Sequence, residues 1–329
     1  MIEFHRKCHK LIRRGYRNEH RALSGNYVKR HRIQRATGIP PKPARSRRHD
    51  RSAADPRGSI LRWAGSKRKL VPVITSLFPP KYRRYIEPFA GSACVFAALA
   101  PRNAVLSDIN AELIHTYKTL VSSASAIGTT LRRFDQKKRT YYRLRSMDPT
   151  TLGRITRAAR FIYLNRRCFN GVFRLNRRGQ FNVPLGRRTG PMPTQAELTR
   201  FSKLLAAADI RACDFAKSVS RAGKGDLVYL DPPYTRPDTR FRGEYGWNAF
   251  RESDEQRLIH SVTEAAKKGA TIVLSYRASI SRSLPGWSRR HVRVLRSVSG
   301  FSAKRRRVTE ILFVSPDAKA PRDDRAAKR

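Results

Sequence analysis

The sequence is poor in cysteine and contains no long apolar run. Its four cysteines lie far apart and include no C-x-x-C pair: Cys8, Cys94, Cys168 and Cys213. We therefore expect neither a disulfide framework nor a zinc module, and a reducing cytoplasm suits the chain. No apolar stretch approaches the length of a membrane span. The N-terminal stretch lacks the apolar region of a secretory signal, so we expect no secretion.

Acidic residues are also scarce. The chain has 24 Asp and Glu residues against 71 Lys and Arg residues, which gives a formal net charge of +47 over 329 residues. A surplus of this size predicts a polyanionic partner, and DNA or RNA is the usual one. Because the basic residues are spread along the whole sequence, a generally arginine-rich composition is the alternative explanation.

A glycine-rich phosphate loop is missing where a nucleotide-binding fold would place it. Residues 85–87 are predicted to form a strand and 93–99 an apolar helix, with Ser92 as the N-cap. The loop between them contains one glycine, Gly91, and is a poor cradle for a pyrophosphate. This argues against NAD or ATP but allows a backbone to approach a neutral or cationic ligand. The segment is typical of the first β–α unit of a Rossmann-like α/β sheet.

The clearest chemical signal is the sequence Asp231-Pro232-Pro233-Tyr234. It follows an apolar strand predicted over 226–230, which the prolines end because they cannot donate to a sheet. The Asp231 carboxylate and the Pro232 carbonyl can accept hydrogen bonds from an amino group, and Tyr234 can stack on the ring that bears it. The motif is therefore suited to a planar amine. A proline turn that Asp231 merely caps is the alternative.

A second half-site precedes this motif. Asp108 ends the next predicted strand, 21 positions after Glu87, where an acidic residue accepts ribose hydroxyls. A capping role for Asp108 is the alternative. Upstream, a helix start near Lys67 can hold a carboxylate and Trp63 can cover a flat ring, unless both belong to an ordinary surface turn. This half-site suits an adenosine with an amino-acid tail. Methyl transfer from S-adenosylmethionine to an amine is a reaction that would use both half-sites.

Four motifs, in this order, resemble those of the DNA adenine methyltransferase family, whose members methylate adenine N6, often within GATC. They are W-A-G-S-K at 63–67, E-P-F-A-G-S at 87–92, D-I-N at 108–110 and D-P-P-Y at 231–234, and the resemblance runs over 60–314. It implies a Rossmann-like S-adenosylmethionine-dependent methyltransferase sheet with an inserted, mostly helical target-recognition domain that carries a β-hairpin. It also implies that Asp231, Pro232 and Tyr234 handle the base. It further implies that Trp63, Lys67, Asp108 and Asp231 contact S-adenosylmethionine, and the predicted cofactor-binding residues also include Glu87, Phe89 and Gly91.

The segment 122–215 is highly basic, and its predicted β-hairpin turns at 176–179. The Arg, Asn and Gln side chains of this hairpin are of the types that contact base edges. Similarity to the family's recognition domain puts Phe169 and Asn170 near the flipped-out base and Arg174 near a base or phosphate. The predicted DNA-binding residues are Phe169, Asn170, Arg174, Asn176, Arg177 and Arg178. An ordinary solvated basic hairpin is the alternative.

The chain is predicted to divide into four parts. Residues 1–55 form a basic, disordered extension, 56–121 with 216–314 form the catalytic domain, 122–215 recognise DNA, and 315–329 are a disordered tail. Residues 235–251 are predicted to form a mobile loop over the site.

Together these features predict an adenine-specific DNA methyltransferase that acts on a base flipped out of double-stranded DNA. We expect a bacterial or phage-type enzyme in the cytoplasm, associated with the nucleoid through DNA, and neither a metal nor a membrane as partner. A restriction partner, a phage enzyme and an orphan regulator all fit this prediction. The alternatives are cytosine-N4 methylation of DNA, adenine methylation of RNA, and a non-catalytic basic DNA-binding protein with a decayed methyltransferase core.

Overall fold

The computed structural model describes residues 58–187, 189–234, 250–295 and 307–316. The predictions for the extension at 1–55, for nearly all of the loop at 235–251 and for most of the tail at 315–329 lie outside these residues. Within the described ranges, no helix is both long enough and apolar enough to cross a membrane.

A mixed sheet forms the centre of the described structure. Its strands are β1 (Arg84–Glu87), β2 (Ala104–Asp108), β3 (Ala208–Ala212), β4 (Asp226–Leu230), β5 (Thr271–Tyr276), β6 (Ser288–Leu295) and β7 (Arg307–Val314), in the order β3-β2-β1-β4-β5-β7-β6. Strands β1 to β5 run parallel, and β7 runs antiparallel to both β5 and β6. The predicted α/β class is confirmed, and the strand predicted at 226–230 matches in full.

Eight α-helices accompany the sheet in the described ranges. They are α1 (Val71–Thr75), α2 (Cys94–Leu99), α3 (Ala111–Arg133), α4 (Lys138–Ser146), α5 (Arg154–Arg167), α6 (Gln195–Leu205), α7 (Phe215–Val219) and α8 (Glu252–Lys267). Short 3-10 helices lie at Pro149–Thr151, Phe169–Gly171 and Ala278–Ser283. Asn110 caps α3, because its Oδ1 accepts a hydrogen bond from the N–H of Leu113 at 3.1 Å.

The central strands are apolar on both sides because helices cover both faces of the sheet. Leu227 and Tyr229 of β4 belong to one apolar cluster, whereas Val228 and Leu230 of the same strand belong to another. All four side chains are buried. A near-continuous apolar run of this kind is typical of parallel strands, whose alternate side chains point to opposite faces.

The strand order reverses between β1 and β4. The chain moves outward from β1 through β2 to β3, and then returns to β4 on the other side of β1. Open α/β sheets bind ligands at such a reversal, beside the carboxyl ends of the strands. Neighbouring strands lie about 4.8 Å apart, so the ends of β2 and β4, on either side of β1, are about 10 Å apart. These ends carry Asp108 and Asp231.

The segment 122–215 supplies helices, the hairpin and one strand of the sheet. Tyr141, Phe161 and Phe201, from α4, α5 and α6, join the apolar cluster that contains Leu227. Strand β3, which lies within the segment predicted to recognise DNA, pairs in parallel with β2. Because this segment shares a core with the sheet, its separation as a domain stays a prediction.

The N-cap predicted for α2 is wrong. The cap residue is Ala93, which has a left-handed backbone with φ 49° and makes no side-chain capping bond. The hydroxyl of Ser92 lies 3.2 Å from that of Ser66 instead, and the Ser92 carbonyl accepts a hydrogen bond from Ser59 at 2.6 Å. These contacts connect the loop after β1 to the 63–67 motif.

Candidate active site

The loop after β1 is held between Asp108 and Tyr117. The N–H of Gly91 donates to Oδ2 of Asp108 at 3.0 Å, and the Gly91 carbonyl accepts from the Tyr117 hydroxyl at 2.6 Å. Oδ1 of Asp108 accepts from the N–H of Asn110 at 2.9 Å. Burial raises the pKa of Asp108 above its ordinary value, and these two backbone hydrogen bonds oppose that shift. Each carboxylate oxygen has a further lone pair, so a contact with ribose hydroxyls stays compatible with this arrangement.

Trp63 packs directly on this loop. A Cβ atom added at Gly91, whose φ is +45°, would lie 2.8 Å from Nε1 of the indole. The indole also stacks on Phe173 near the hairpin, with the ring centroids 6.3 Å and the planes 11° apart. Trp63 therefore joins the 63–67 motif, the loop after β1 and the predicted recognition segment.

Asn165, which sequence reasoning missed, holds the Trp63 segment against α5. Its buried side chain accepts from the N–H of Arg62 at 2.9 Å and donates to the Arg62 carbonyl at 2.6 Å. This reciprocal pair satisfies the backbone groups next to Trp63 as a neighbouring strand would. A lone Asn late in a helix carries no sequence signal for such a distant partner.

Phe169 and Asn170 lie in a tight turn beside the same segment. Asn170 has a left-handed backbone with φ 54°, and a Cβ at Gly171 would lie 2.9 Å from the carbonyl carbon of Arg62. Phe169 is 40% exposed. The turn thus presents an aromatic side chain on the surface close to the Trp63 segment, which is compatible with the predicted position near a flipped base.

Asp231 lies immediately after β4 and is paired with Lys67. The Lys67 ammonium is 2.6 Å from Oδ1 of Asp231, across 164 residues of sequence. Lys67 is 5% exposed, whereas the Asp231 side chain is 21% exposed. Burial by itself lowers the pKa of Lys67, but Asp231, Tyr234 and Glu310 together raise it above its ordinary value. Lys67 is therefore cationic and contacts a carboxylate of the protein.

The Tyr234 ring lies among cations and a second tyrosine. Nζ of Lys67 is 5.6 Å and the guanidinium carbon of Arg277 is 4.9 Å from the ring centroid. The Tyr276 ring meets it edge-on, with centroids 5.4 Å apart. Both Tyr276 and Arg277 come from the end of β5, the neighbour of β4, and sequence reasoning missed them. Cations near a phenol ring interact with its π-electrons, so this environment orients the predicted stacking surface.

Glu87 is a buried carboxyl beside the candidate site. Its Oε2 accepts hydrogen bonds from the Tyr85 hydroxyl at 2.8 Å and from the N–H of Phe96 at 3.2 Å. Burial, aided by the charges of Asp231 and Asp108 and opposed by these two hydrogen bonds, raises the pKa of Glu87 to about 8. The carboxyl is therefore mainly protonated at pH 7. Among the described residues, no group of three or more His, Cys, Asp or Glu side chains is arranged to hold a metal ion.

Phe89 belongs to an aromatic group on the other face of the sheet. Its ring stacks on Phe215 of α7 with centroids 5.2 Å apart, and meets the edge of Phe250 at 6.2 Å. The side chain is partly exposed. This packing positions the loop after β1 and leaves part of the ring for the predicted cofactor contact.

The predicted DNA-binding residues of the hairpin have different surroundings. Oδ1 of Asn176 accepts from the N–H groups of Arg178 and Gln180 at 3.0 and 2.9 Å, so this side chain stabilises the turn. Nε of Arg174 donates to Oδ1 of Asn182 at 2.9 Å. Arg177 and Arg178 are exposed at the tip. The turn predicted from sequence is present, since the N–H of Asn176 also donates to the Gln180 carbonyl at 2.8 Å.

The described seven-stranded α/β sheet, whose carboxyl edge carries Asp108, a single-glycine loop and Asp231, is consistent with the fold of S-adenosylmethionine-dependent methyltransferases. The profile of D12 class N6 adenine-specific DNA methyltransferases matches residues 63–297. The chain belongs to that family, and the predicted class of enzyme, an adenine-specific DNA methyltransferase, is confirmed.

Named relatives agree with this assignment. The type II methyltransferase M1.LlaDCHI of Lactococcus lactis subsp. cremoris is 34% identical over 78% of this chain and 94% of its own length. The DNA adenine methylase of Salmonella typhi is 31% identical over 77% of this chain and 94% of its own. The DNA N-6-adenine-methyltransferase of Escherichia phage P1 is 34% identical over 68% of this chain, a match that spans 30% of the phage protein.

Proposed function

We propose that this enzyme transfers the methyl group of S-adenosylmethionine to N6 of an adenine flipped out of double-stranded DNA. The observation that carries the proposal is the common position of two half-sites at the reversal of the sheet. Asp231 and Tyr234 follow β4, and the Gly91 loop bonded to Asp108 follows β1. N6 of a stacked adenine is out of reach, so the base has to leave the duplex before it can react.

The residues around the Gly91 loop fit S-adenosylmethionine. Asp108 retains acceptor capacity for ribose hydroxyls, and Trp63 offers a flat apolar surface to a purine. Phe89, partly exposed, offers a second such surface. When bound, the cofactor supplies a methyl group activated by a sulfonium. The contact of Lys67 with Asp231 makes the predicted role of Lys67 in holding the amino-acid tail less direct.

The DPPY motif is suited to activating an aromatic amine. The lone pair of such an amine is delocalised into its ring, which makes the nitrogen a poor nucleophile. The Asp231 carboxylate and the Pro232 carbonyl accept the two N6 hydrogens and favour a tetrahedral nitrogen, while Tyr234 stacks on the base. Lys67, at 2.6 Å, holds the Asp231 carboxylate in place. Positioning and electrostatics then carry the catalysis, without a covalent enzyme intermediate.

The recognition segment provides the contacts to DNA in this proposal. Phe169 lies exposed near the Trp63 segment, and the arginines at the hairpin tip, Arg177 and Arg178, are suited to phosphates or guanine edges. A charge of +47 supports strong binding to a polyanion. We propose GATC as the first target sequence to test. An enzyme of this kind acts in the cytoplasm, where the DNA of a bacterium or phage is found.

The test is nucleoside mass spectrometry of substrates incubated with purified protein and S-adenosylmethionine. Duplex DNA with and without GATC, single-stranded DNA and RNA are compared, and N6-methyladenine is distinguished from N4-methylcytosine. We expect N6-methyladenine in duplex DNA. N4-methylcytosine as the product, or methylation of RNA alone, would refute the proposal and support one of the two alternative methyltransferase activities.

Asp231→Asn tests the catalytic assignment and keeps the volume of the side chain. We expect a rate at least about 100-fold lower, with binding of duplex DNA retained. Asp231→Ala is the more disruptive variant, because it leaves the buried Lys67 ammonium without the side-chain oxygen that Asn would still offer. Asp209→Asn is the matched control, since it removes an exposed carboxylate on β3. An Asp231→Asn enzyme as active as the control would disprove the assigned role of Asp231.

A further inference from the structure

Lys67 lies between two carboxylates that come from different strands. Its ammonium is 2.6 Å from Oδ1 of Asp231 and 3.5 Å from Oε2 of Glu310. Asp231 follows β4, whereas Glu310 is part of β7, and β5 separates these two strands in the sheet. Neither the D-P-P-Y motif nor the 63–67 motif includes Glu310.

Glu310 is an unusual residue for its position. It is 8% exposed in a strand that continues with Ile311, Leu312 and Phe313. Side chains two residues apart on a strand share a face, so Glu310 points to the same side as Leu312, whose apolar cluster includes residues next to the 63–67 motif. Buried carboxylates are costly unless they are paired. Among the described residues, Oε2 of Glu310 accepts no hydrogen bond, and Lys67 is its ion-pair partner.

The charges of this group do not cancel. Among the described residues, one ammonium faces two carboxylates, so the three side chains of Lys67, Asp231 and Glu310 sum to one negative charge when both acids are ionised. A lysine paired with Asp231 alone would neutralise that carboxylate and compete with an amine for its oxygens. A second anion divides the attraction of the ammonium, so that Asp231 can accept a hydrogen bond while Lys67 stays paired.

We propose that Glu310 is a positioning residue that holds Lys67 and, through it, aims the Asp231 carboxylate at the exocyclic amine. The inference rests on the proposed function of Asp231 and adds a residue to it. Glu310 itself touches neither base nor cofactor in this arrangement. Its removal should therefore lower the rate of the methyl-transfer step more than it weakens the binding of either substrate.

The kinetic test compares Glu310→Gln with the wild-type enzyme. We expect kcat to fall by about 10-fold to 100-fold, while KM for S-adenosylmethionine and for duplex DNA changes less than about twofold. Glu264→Gln is the matched control, because it makes the same substitution at a glutamate whose side chain is 41% exposed and also pairs with a lysine, at 2.8 Å. A Glu310→Gln enzyme within about twofold of this control in kcat would overturn the proposal.

A double-mutant cycle with Lys67→Met identifies the route of the effect. If Glu310 acts through Lys67, adding Glu310→Gln to the Lys67→Met enzyme should cause no further loss of kcat. Losses that multiply would show that Glu310 acts by another route and would refute the proposal. The cycle is informative because the Lys67→Met enzyme has already lost the ion pair with Glu310. Any further loss of kcat from Glu310→Gln must then come from another contact.

The same four proteins are then unfolded with urea, which tests the contact without any methyl transfer. We expect the two substitutions to be non-additive in their effect on stability, since each removes a partner of the other. Additive losses would overturn the proposal even in an inactive protein. If the losses of stability are non-additive but the wild-type protein does not methylate adenine, the proposed function is refuted and the Lys67–Glu310 contact remains supported.

Discussion

The indole of Trp63 occupies the space into which any side chain at residue 91 would extend. A Cβ at Gly91 would lie 2.8 Å from Nε1 and 2.9 Å from Cδ1 of that ring. Glycine is required here for two reasons: the contact with Trp63 leaves no space for a side chain, and the φ of +45° is strained for other residues. The single glycine of the loop therefore serves close packing against Trp63 rather than a phosphate cradle.

Gly91→Ala should destabilise the protein and weaken the binding of S-adenosylmethionine. The left-handed backbone alone costs about 1–2 kcal/mol for alanine, and the contact with Trp63 adds to it. If displacement of the indole removes about 1.4 kcal/mol of binding free energy, the Kd for S-adenosylmethionine rises about tenfold. Urea unfolding and calorimetric titration measure the two effects.

Gly179→Ala is the control for this prediction. Gly179 also has a positive φ, +72°, but an added Cβ would meet no atom within 4 Å. It should therefore show the backbone cost without the loss of cofactor affinity. Equal cofactor affinities for the two variants would show that the Trp63 contact is unimportant for the cofactor.

Glu87 should make the stability of the protein depend on pH. Its folded-state pKa of about 8 lies above its ordinary value of 4.5, so between these values the folded state keeps a proton that the unfolded state has lost. The free energy of unfolding should therefore fall as pH rises from 4.5 to 8, by at most about 1.4 kcal/mol per pH unit from this group. Below pH 4.5 both states are protonated and the contribution is fully present.

Glu87→Gln removes this titration and keeps an oxygen for the Tyr85 hydroxyl and the N–H of Phe96. The difference in unfolding free energy between variant and wild type should increase in favour of the variant from pH 5 to pH 8. Urea unfolding at four pH values between these limits provides the measurement. Parallel curves for the two proteins would contradict a raised pKa for Glu87.

Asn165→Ala should loosen the Trp63 segment. The substitution leaves the N–H and the carbonyl of Arg62 without the partners that lie at 2.9 and 2.6 Å. Two part-buried backbone groups are affected, and each unsatisfied group costs at most about 1–3 kcal/mol. Asn182→Ala, which removes only an acceptor for Nε of Arg174, is the control and should cost less in urea unfolding. Equal losses of stability would argue against the reciprocal pair as the main link to α5.

Arg178→Ala tests the hairpin tip as a contact to DNA. Loss of one phosphate contact should weaken binding to all duplex sequences alike and reduce the slope of log K against log salt by about 0.9. Lys203→Ala, an equal change of charge at an exposed position on α6, is the control. Fluorescence anisotropy over a range of salt concentrations gives the slopes. A change confined to one DNA sequence would instead indicate base readout by Arg178.

Local sequence determined the parts of this protein that depend on neighbouring residues. The apolar run at 226–230 predicts β4 because both faces of a central parallel strand are buried, and the prolines after Asp231 end it without help from the rest of the chain. Asn110 caps α3, and Asn176 turns the hairpin, through bonds to residues within four positions. The order of the four motifs was sufficient to indicate the family, because each combines turn chemistry with a functional side chain.

Tertiary structure alone decided which distant residues meet at the site. Lys67 reaches Asp231 across 164 residues, and Glu310 reaches Lys67 from β7 because the sheet brings β4, β5 and β7 side by side. Asn165 finds its partners in the backbone of Arg62, which no pattern of side chains can indicate. The physical reason is that burial and pairing of a polar group depend on what the fold places opposite it, whereas capping and turn chemistry depend on the chain next to it.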